Sequence, residues 1–343
     1  MRDIRISVII PLYNGADRII KCIDMFDAQD CAFDYEVLVI DDCSTDNSAA
    51  LVAQHLKELH HSDSFHLIRS PKNGRAGAAR NAGVVAAKGH YILFNDQDDF
   101  PDTKMLRVLW ENSKDGQVDL VSCAVLDRWG SPYFRPEIMA DYKLSAEERG
   151  HLFSRYGYVF ASLIKRSVLI KNNLFFPENL LFEDCLYNAG LLSCVGSVQT
   201  IKDVLHYRTT DPSSQTASIT SKKINDRIDA VKIYLDAYTE NDKIHPYMPA
   251  IKRLAFYYVY LSCMLWLLAI PKLYTKELFD RCRAEGKALD MSWEEVLRKE
   301  TAFSKPLLYL LKLIYYVPLM AHPVRLCGTT AYKILKAVKN KKH

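Results

Sequence analysis

Asn95-Asp96-Gln97-Asp98-Asp99 crowds three carboxylates into five consecutive residues. Their mutual repulsion is costly unless a cation or hydrogen-bond donors offset it. Mg2+ and Mn2+ take oxygen ligands, and Mg2+ commonly uses one or two carboxylates together with substrate phosphates. The competing reading is a solvated turn in which Asp99 caps a following helix. Asp41-Asp42 is a second acidic pair, and because Asp46 can cap the next helix, one of the pair is left to accept hydrogen bonds from a nucleobase or ribose. Arg80, within Asn73-Gly74-Arg75-Ala76-Gly77-Ala78-Ala79-Arg80-Asn81-Ala82-Gly83, can donate a forked pair of hydrogen bonds to phosphate or carboxylate. It then contacts a nucleotide, steadies the acidic loop, or forms a structural ion pair. Leu181-Phe182-Glu183-Asp184-Cys185 sets two carboxylates among apolar neighbours. Burial beside another anion raises a carboxylate's pKa and suits a general base near neutrality, but acids also gather at ordinary helix N-termini.

These residues sit at the ends of regular elements. Ile6–Pro11 and Tyr35–Ile40 are short, continuously apolar, β-branched runs that suit strands buried on both faces. Phe65–Arg69 and His90–Phe94 complete four strands, with a thin helix rich in Ala and Gly over Arg75–Lys88 and a helix from Ser44–Asp46 to about His60. Pro101 suits the first turn of a further helix. Strands alternating with helices predict an α/β fold with a parallel, right-handed sheet, whose ligands gather at the carboxyl ends of the strands. Asp41-Asp42 and Asp96–Asp99 both fall there, so one crevice can hold them. From about residue 221 the texture is helical, with a charge-free run over Leu254–Ile270 and an apolar run over Pro306–Val324 broken by Lys312, Pro318 and Pro323. The expected division is residues 1–220 and a C-terminal helical appendage over 221–343.

The chain has 343 residues, 49% hydrophobic and 25% charged, enough to bury a core. Its net charge of +4 is too mild to announce a nucleic-acid partner. Lys333, Lys336, Lys339, Lys341 and Lys342 form a basic tail, either a solvated helix end or a surface that meets anionic lipid. Nine cysteines without a C-x-x-C pair suggest neither a zinc site nor a disulfide framework, and no apolar signal region opens the sequence. A reducing, cytoplasmic location is expected.

Ser7-Val8-Ile9-Ile10-Pro11-Leu12-Tyr13-Asn14, Val39–Asp46, Asn73–Gly83, Asp96-Gln97-Asp98-Asp99 and Glu183-Asp184 occur in the order and spacing of family-2 glycosyltransferases. Over about residues 5–215 the chain resembles that family, and looks most like bacterial enzymes that build capsule, exopolysaccharide or lipopolysaccharide repeats. The resemblance implies a GT-A fold. It implies that Pro11, Tyr13 and Asp42 contact the base and ribose of a nucleotide diphosphate sugar, with Asp41 beside them and Asp96 on the ribose. Asp98 would ligate Mg2+ or Mn2+, Asp184 would be the catalytic base, and Glu183 would neighbour it on the acceptor side. His206-Tyr207-Arg208 resembles the lead into a loop over the diphosphate.

Three departures matter. Cys43 stands where the family most often has Gly, which makes that turn less permissive. Around Tyr158–Arg166 the family's Trp and Lys are replaced by Phe160-Ala161-Ser162-Leu163-Ile164-Lys165. The Gln-x-x-Arg-Trp signature of processive synthases is missing, since Val125 precedes Arg128-Trp129. The expectation is an inverting, non-processive transfer of one sugar, with a UDP-sugar as donor, to a hydroxyl of a glycan or lipid-linked acceptor at the inner face of the membrane. The alternative is a non-catalytic binding or assembly subunit on the same fold. A sugar nucleotidyltransferase is disfavoured, because no glycine-rich loop with a basic residue follows Ile10.

Overall fold

A computed structural model describes residues 2–127, 130–134, 153, 160–209, 218–299 and 303–317. The basic tail, Tyr158 and Arg128-Trp129 lie outside the described residues, as does the apolar run beyond Val317. The architecture is a mixed sheet between two helical layers. Its strands are β1 (Ile6–Leu12), β2 (Tyr35–Asp41), β3 (Phe65–Arg69), β4 (Tyr91–Phe94), β5 (Phe100–Pro101), β6 (Leu120–Asp127), β7 (Pro132–Phe134), β8 (Ser162–Lys165) and β9 (Val198–Arg208), in the order β3-β2-β1-β4-β8-β6-β9-β5 with β7 on β6. Every residue of β1, β2 and β4 is buried, as their unbroken apolar runs predict.

The expectation of a parallel sheet holds only for β3-β2-β1-β4. Next to them β8 runs antiparallel to both β4 and β6, while β6 and β9 pair in parallel. Pro101 does not open a helix. It pairs with His206 in the short strand β5, and the next helix starts at Met105. The expected helix to about His60 is shorter, Ser48–His55, with Asp46 Oδ1 accepting the Ser48 amide at 3.0 Å just before it.

One face of the sheet is covered by α1 (Ile19–Asp27), α2 (Ser48–His55) and α4 (Met105–Asn112). The other carries α3 (Arg75–Ala86), α5 (Arg166–Lys171) and α6 (Tyr187–Cys194). The small residues of α3 bring it close to the sheet. A Cβ on Gly83 would lie 2.4 Å from Ile9 Cγ2.

The C-terminal helices are α7 (Ser221–Thr239), α8 (Met248–Phe256), a π-helical turn (Tyr257–Ser262), α9 (Cys263–Ala269), α10 (Lys276–Ala288), α11 (Trp293–Lys299) and α12 (Lys305–Tyr316). Thr220 caps α7, its Oγ1 accepting the Lys223 amide at 3.2 Å. The continuous helix His245–Ala269 is long and apolar enough to cross a membrane, yet 67% of its most apolar window is buried inside the protein. It serves the fold as a core helix. Ile9, Leu38 and Phe94 of the sheet share one core with Ile224, Phe256, Leu268 and Leu311. All eight described cysteines are free thiols.

Candidate active site

β1 and β2 end side by side, with Leu12 paired to Asp41, and this register gathers the first site residues. Pro11 is buried at the end of β1, and Tyr13 is half-buried just beyond it. Asp41 Oδ1 accepts the Ser44 amide at 3.1 Å. Asp42 accepts the Gly74 and Arg75 amides at 2.8 and 2.7 Å, so it caps α3 from a different element. Burial pushes its carboxyl upward despite those donors. Between the two acids and α2 the chain turns through Cys43 at φ +59°, a left-handed conformation that glycine adopts without strain.

Asn14, the last residue of the first motif, organises this turn. Its Oδ1 accepts the Thr45 amide at 2.8 Å and its Nδ2 donates to Thr45 Oγ1 at 3.1 Å. A polar residue that tolerates φ +47° was the available signal.

The acidic loop follows β4, the neighbour of β1. Gln97 ties it to the first strand by accepting the Tyr13 amide at 2.9 Å and donating to the Tyr13 carbonyl at 3.2 Å. Asp99 is not a helix cap. It is buried, lies 3.1 Å from His206 Nε2 and accepts the Thr209 amide at 2.9 Å, while Thr209 Oγ1 donates to the Asp98 carbonyl at 2.6 Å. His206, stacked on Phe160 at 5.0 Å, therefore turns Nε2 toward Asp99 and braces the loop.

Asp98 is half-buried, with its side chain 24% exposed and Arg18 Nη1 3.6 Å away. Burial first, then the charges of Asp96 and Asp99, push its carboxyl up to about 6. A hard oxygen donor crowded by two other acids, with Arg18 as its cationic neighbour, fits a divalent cation. Among the described residues no cluster of three or more His, Cys, Asp or Glu could hold an ion. The protein part of such a site would be one or two carboxylates, with the remaining ligands supplied by a diphosphate.

Arg80 joins this loop to the later acidic pair. Its guanidinium donates to Asp96 Oδ1 at 2.8 Å and to Glu183 Oε1 at 2.5 Å, and it packs on Phe176 at 5.3 Å. Burial opposes the charge, but Asp96 and Glu183 outweigh burial and hold the side chain protonated. The ion-pair reading of Arg80 and the loop-steadying reading thus coincide. Asp184, next to Glu183, is half-buried, and no described side chain donates a hydrogen bond to its carboxylate. Burial and then the Glu183 charge push it up to about 7, against the opposing pull of Arg80. Two titratable acids, Asp98 and Asp184, thus flank an Asp96–Arg80–Glu183 bridge drawn from segments 103 residues apart.

A mixed sheet carrying an acidic loop after the strand beside β1, with a second acidic pair across an arginine, defines the nucleotide-diphospho-sugar transferase class with the GT-A fold. Residues 7–171 match the family model described as glycosyl transferase family 2. That match, just under half of the chain, supports a family-2 glycosyltransferase. It is 28% identical over 220 residues to the uncharacterized glycosyltransferase EpsJ of Bacillus subtilis, covering 62% of each chain. It is 28% identical over 212 residues to the poly(ribitol-phosphate) beta-N-acetylglucosaminyltransferase TarS of Staphylococcus aureus, covering 60% of this chain and 35% of that one. The matched stretch spans less than two thirds of these relatives' lengths.

The crystal structure of TarS 1–349 in complex with UDP-GlcNAc superposes with a TM-score of 0.70 over 97% of this chain and 92% of that chain, at 18% identity. The likeness in fold therefore extends through the C-terminal helices. The mannosyltransferase PcManGT from Pyrobaculum calidifontis, in complex with GDP-Man and Mn2+, superposes at a TM-score of 0.51 and 18% identity, covering 98% of this chain and 86% of that one.

Proposed function

We propose that this chain is an inverting glycosyltransferase that moves one sugar from a nucleotide diphosphate donor, a UDP-sugar, to a hydroxyl of a glycan or lipid-linked acceptor in cell-surface polysaccharide synthesis. The observation that carries the reading is the Asp96–Arg80–Glu183 bridge, which brings the acidic loop and the Glu183-Asp184 pair into one crevice. UDP and UDP-GlcNAc bound to TarS support the choice of donor.

Asp42 and the β1 end, Pro11 and Tyr13, would receive the base and ribose, with Asp41 beside them and Asp96 on the ribose. Asp184, raised toward neutrality, would take the proton of the acceptor hydroxyl as its oxygen bonds to the anomeric carbon. The bond from that carbon to the diphosphate breaks in the same displacement, and the nucleoside diphosphate leaves. Mg2+ or Mn2+ held by Asp98 would supply neutralisation of the leaving charge, a large term in reactions of this kind. The Mn2+ of PcManGT supports that choice of ion.

Peripheral attachment to an anionic membrane surface belongs to the same proposal. Tyr309, Leu313 and Tyr316 are exposed along one stripe of α12, with Val317 exposed just after it, ahead of the lysine-rich tail.

A panel of UDP- and GDP-sugars, assayed for release of nucleoside diphosphate, tests the proposal. Wild type should release UDP from one donor, and chelation or Asp98→Asn should abolish release while the circular dichroism spectrum stays unchanged. Flotation of the same preparation with anionic but not neutral liposomes would support attachment. No turnover with any donor would leave the binding-subunit alternative, and full activity in excess chelator would remove the metal.

A further inference from the structure

Arg227 is buried at 9% exposure on α7, and among the described residues no carboxylate pairs with it. Its Nε has no hydrogen-bond partner, and Nη1 donates to Ser262 Oγ at 3.1 Å. The charge is met instead by aromatic faces. The guanidinium lies 4.1 Å from the Phe182 ring, 4.2 Å from Trp266 and 5.5 Å from Tyr258. Ring faces attract a desolvated cation and offset part of the cost of burying it.

What this charge holds is the residue before the acidic pair. Phe182 adopts φ +64°, an uncommon conformation for a bulky side chain that persists only where its surroundings impose it. Arg227, with its guanidinium 4.1 Å from the Phe182 ring, is placed to do so. Tyr258 and Ser262, which complete the cage, lie on the π-helical turn Tyr257–Ser262, a departure from α-geometry of the kind found at functional sites.

The same face of α7 grips the segment three more times. Asp226 Oδ2 accepts the Leu181 amide at 3.4 Å, Tyr234 donates to the Glu183 carbonyl, and Tyr238 donates to the Leu186 carbonyl at 3.1 Å. Residues 227, 234 and 238 recur at the spacing of one helical face. Gly190 admits Tyr238, since a Cβ there would lie 2.2 Å from its hydroxyl.

Building on the assignment of Asp184 as base, we propose that Arg227 is a positioning residue: caged by Phe182, Tyr258, Trp266 and Ser262, it sets the backbone that aims Asp184 at the acceptor. The C-terminal helices are then a working wall of the active site. Arg227→Met keeps the length and apolar contact of the side chain but not its charge or planar head. Arg227→Lys keeps the charge without the planar head that stacks on Phe182 and Trp266.

In the full-length protein, Arg227→Met should lower kcat for UDP release by on the order of 10- to 100-fold, the scale of a misplaced reacting group. Affinity for UDP, measured by calorimetry, should stay within about two-fold of wild type, because ground-state donor contacts are untouched. Arg227→Lys should fall nearer to Met than to wild type. In an Asp184→Asn background, Arg227→Met should cause no further loss. Wild-type kcat in Arg227→Met, or the same fold-loss with and without Asp184, would overturn the proposal.

Amide exchange gives a readout independent of turnover. Exchange over residues 182–186 should quicken in both variants while residues 74–80 keep their protection, and unchanged exchange would overturn the proposal. Absence of turnover in wild type would instead count against the transferase reading, with the exchange result still deciding the role of Arg227.

Discussion

The two sides of the crevice are built differently. On the proposed donor side each acid is answered by the protein, Asp41 by the Ser44 amide, Asp42 by the start of α3, Asp96 by Arg80 and Asp99 by His206 and Thr209, while Asp98 has a longer ion pair to Arg18 at 3.6 Å. Those partners lie on the turn after β2, on α3 and at the end of β9. On the proposed acceptor side no described side chain donates a hydrogen bond to Asp184, and the backbone around it is held from α7 and the π-helical turn, 40 to 80 residues later in the chain. In the proposed reading the donor side is preorganised by saturation, while on the acceptor side Asp184 lacks a described side-chain donor and long-range packing fixes where it sits.

The sharpest break in that comparison is Asp184→Asn. Removing a proton acceptor costs on the order of 100- to 10,000-fold in transfer, and UDP affinity should be unchanged because no donor-side contact is lost. The pH profile follows from the same group. As the proposed base Asp184 works only when ionised, and its carboxyl is raised to about 7, so kcat should fall as pH drops through about 7. An unperturbed aspartate, near 3.9, would keep the rate flat down to about pH 5.

The linked stability effect has the opposite sign to function. Between the unfolded value near 3.8 and about 7 the native state holds the extra proton, so stability falls as pH rises across that window. Asp184→Asn should therefore melt higher than wild type at pH 8. Loss of UDP binding in this variant would move Asp184 to the donor side and erase the contrast.

Arg80 belongs to both sides, and Arg80→Met tests whether they are joined. The change leaves Glu183 and Asp96 facing each other without a cation. Breaking a buried pair costs about 3 to 5 kcal/mol, and because the Asp96 side chain is 36% exposed the lower end applies. Urea unfolding should show a loss of about 3 kcal/mol with UDP affinity and kcat both reduced. A loss confined to one of the two parameters would mean that the halves are organised independently.

The contrast also explains what could be read from the sequence. β1, β2 and β4 are unbroken apolar runs because both faces are buried, and the acids follow where those runs stop. The donor side is local in the chain, and its motifs are visible as words. β6, β8 and β9 received no assignment, and the antiparallel insertion of β8 between β4 and β6 has no sequence mark, since it depends on pairing across 40 to 70 residues. Glu183-Asp184 was legible as a pair, but not Arg227 or Tyr234, which in sequence are an ordinary charge and an ordinary tyrosine on an amphipathic helix. The run Leu254–Ile270 illustrates the same limit. Its apolarity serves a membrane surface and a protein core equally well, and burial decides for the core.

The smallest expected effect sets the two sides against each other at one backbone conformation. Cys43 on the donor side and Phe182 on the acceptor side both have φ near +60°, at +59° and +64°. Glycine removes the steric cost of that conformation, about 1 kcal/mol or slightly more, and gives back part of it through the greater freedom of the unfolded chain. At Cys43 the side chain makes only a 3.2 Å thiol contact to the Ser70 carbonyl, so Cys43→Gly should stabilise the protein by about 0.5 kcal/mol. At Phe182 the ring is packed on Arg227 and Trp266, and Phe182→Gly forfeits that packing and strands a buried charge. The net there should be a loss of about 2 kcal/mol despite the same backbone relief. Urea unfolding of the two variants side by side reads both signs. Stabilisation by both would mean that the Phe182 ring does not impose its own backbone, and destabilisation by both would mean that Cys43 is held by more than its turn.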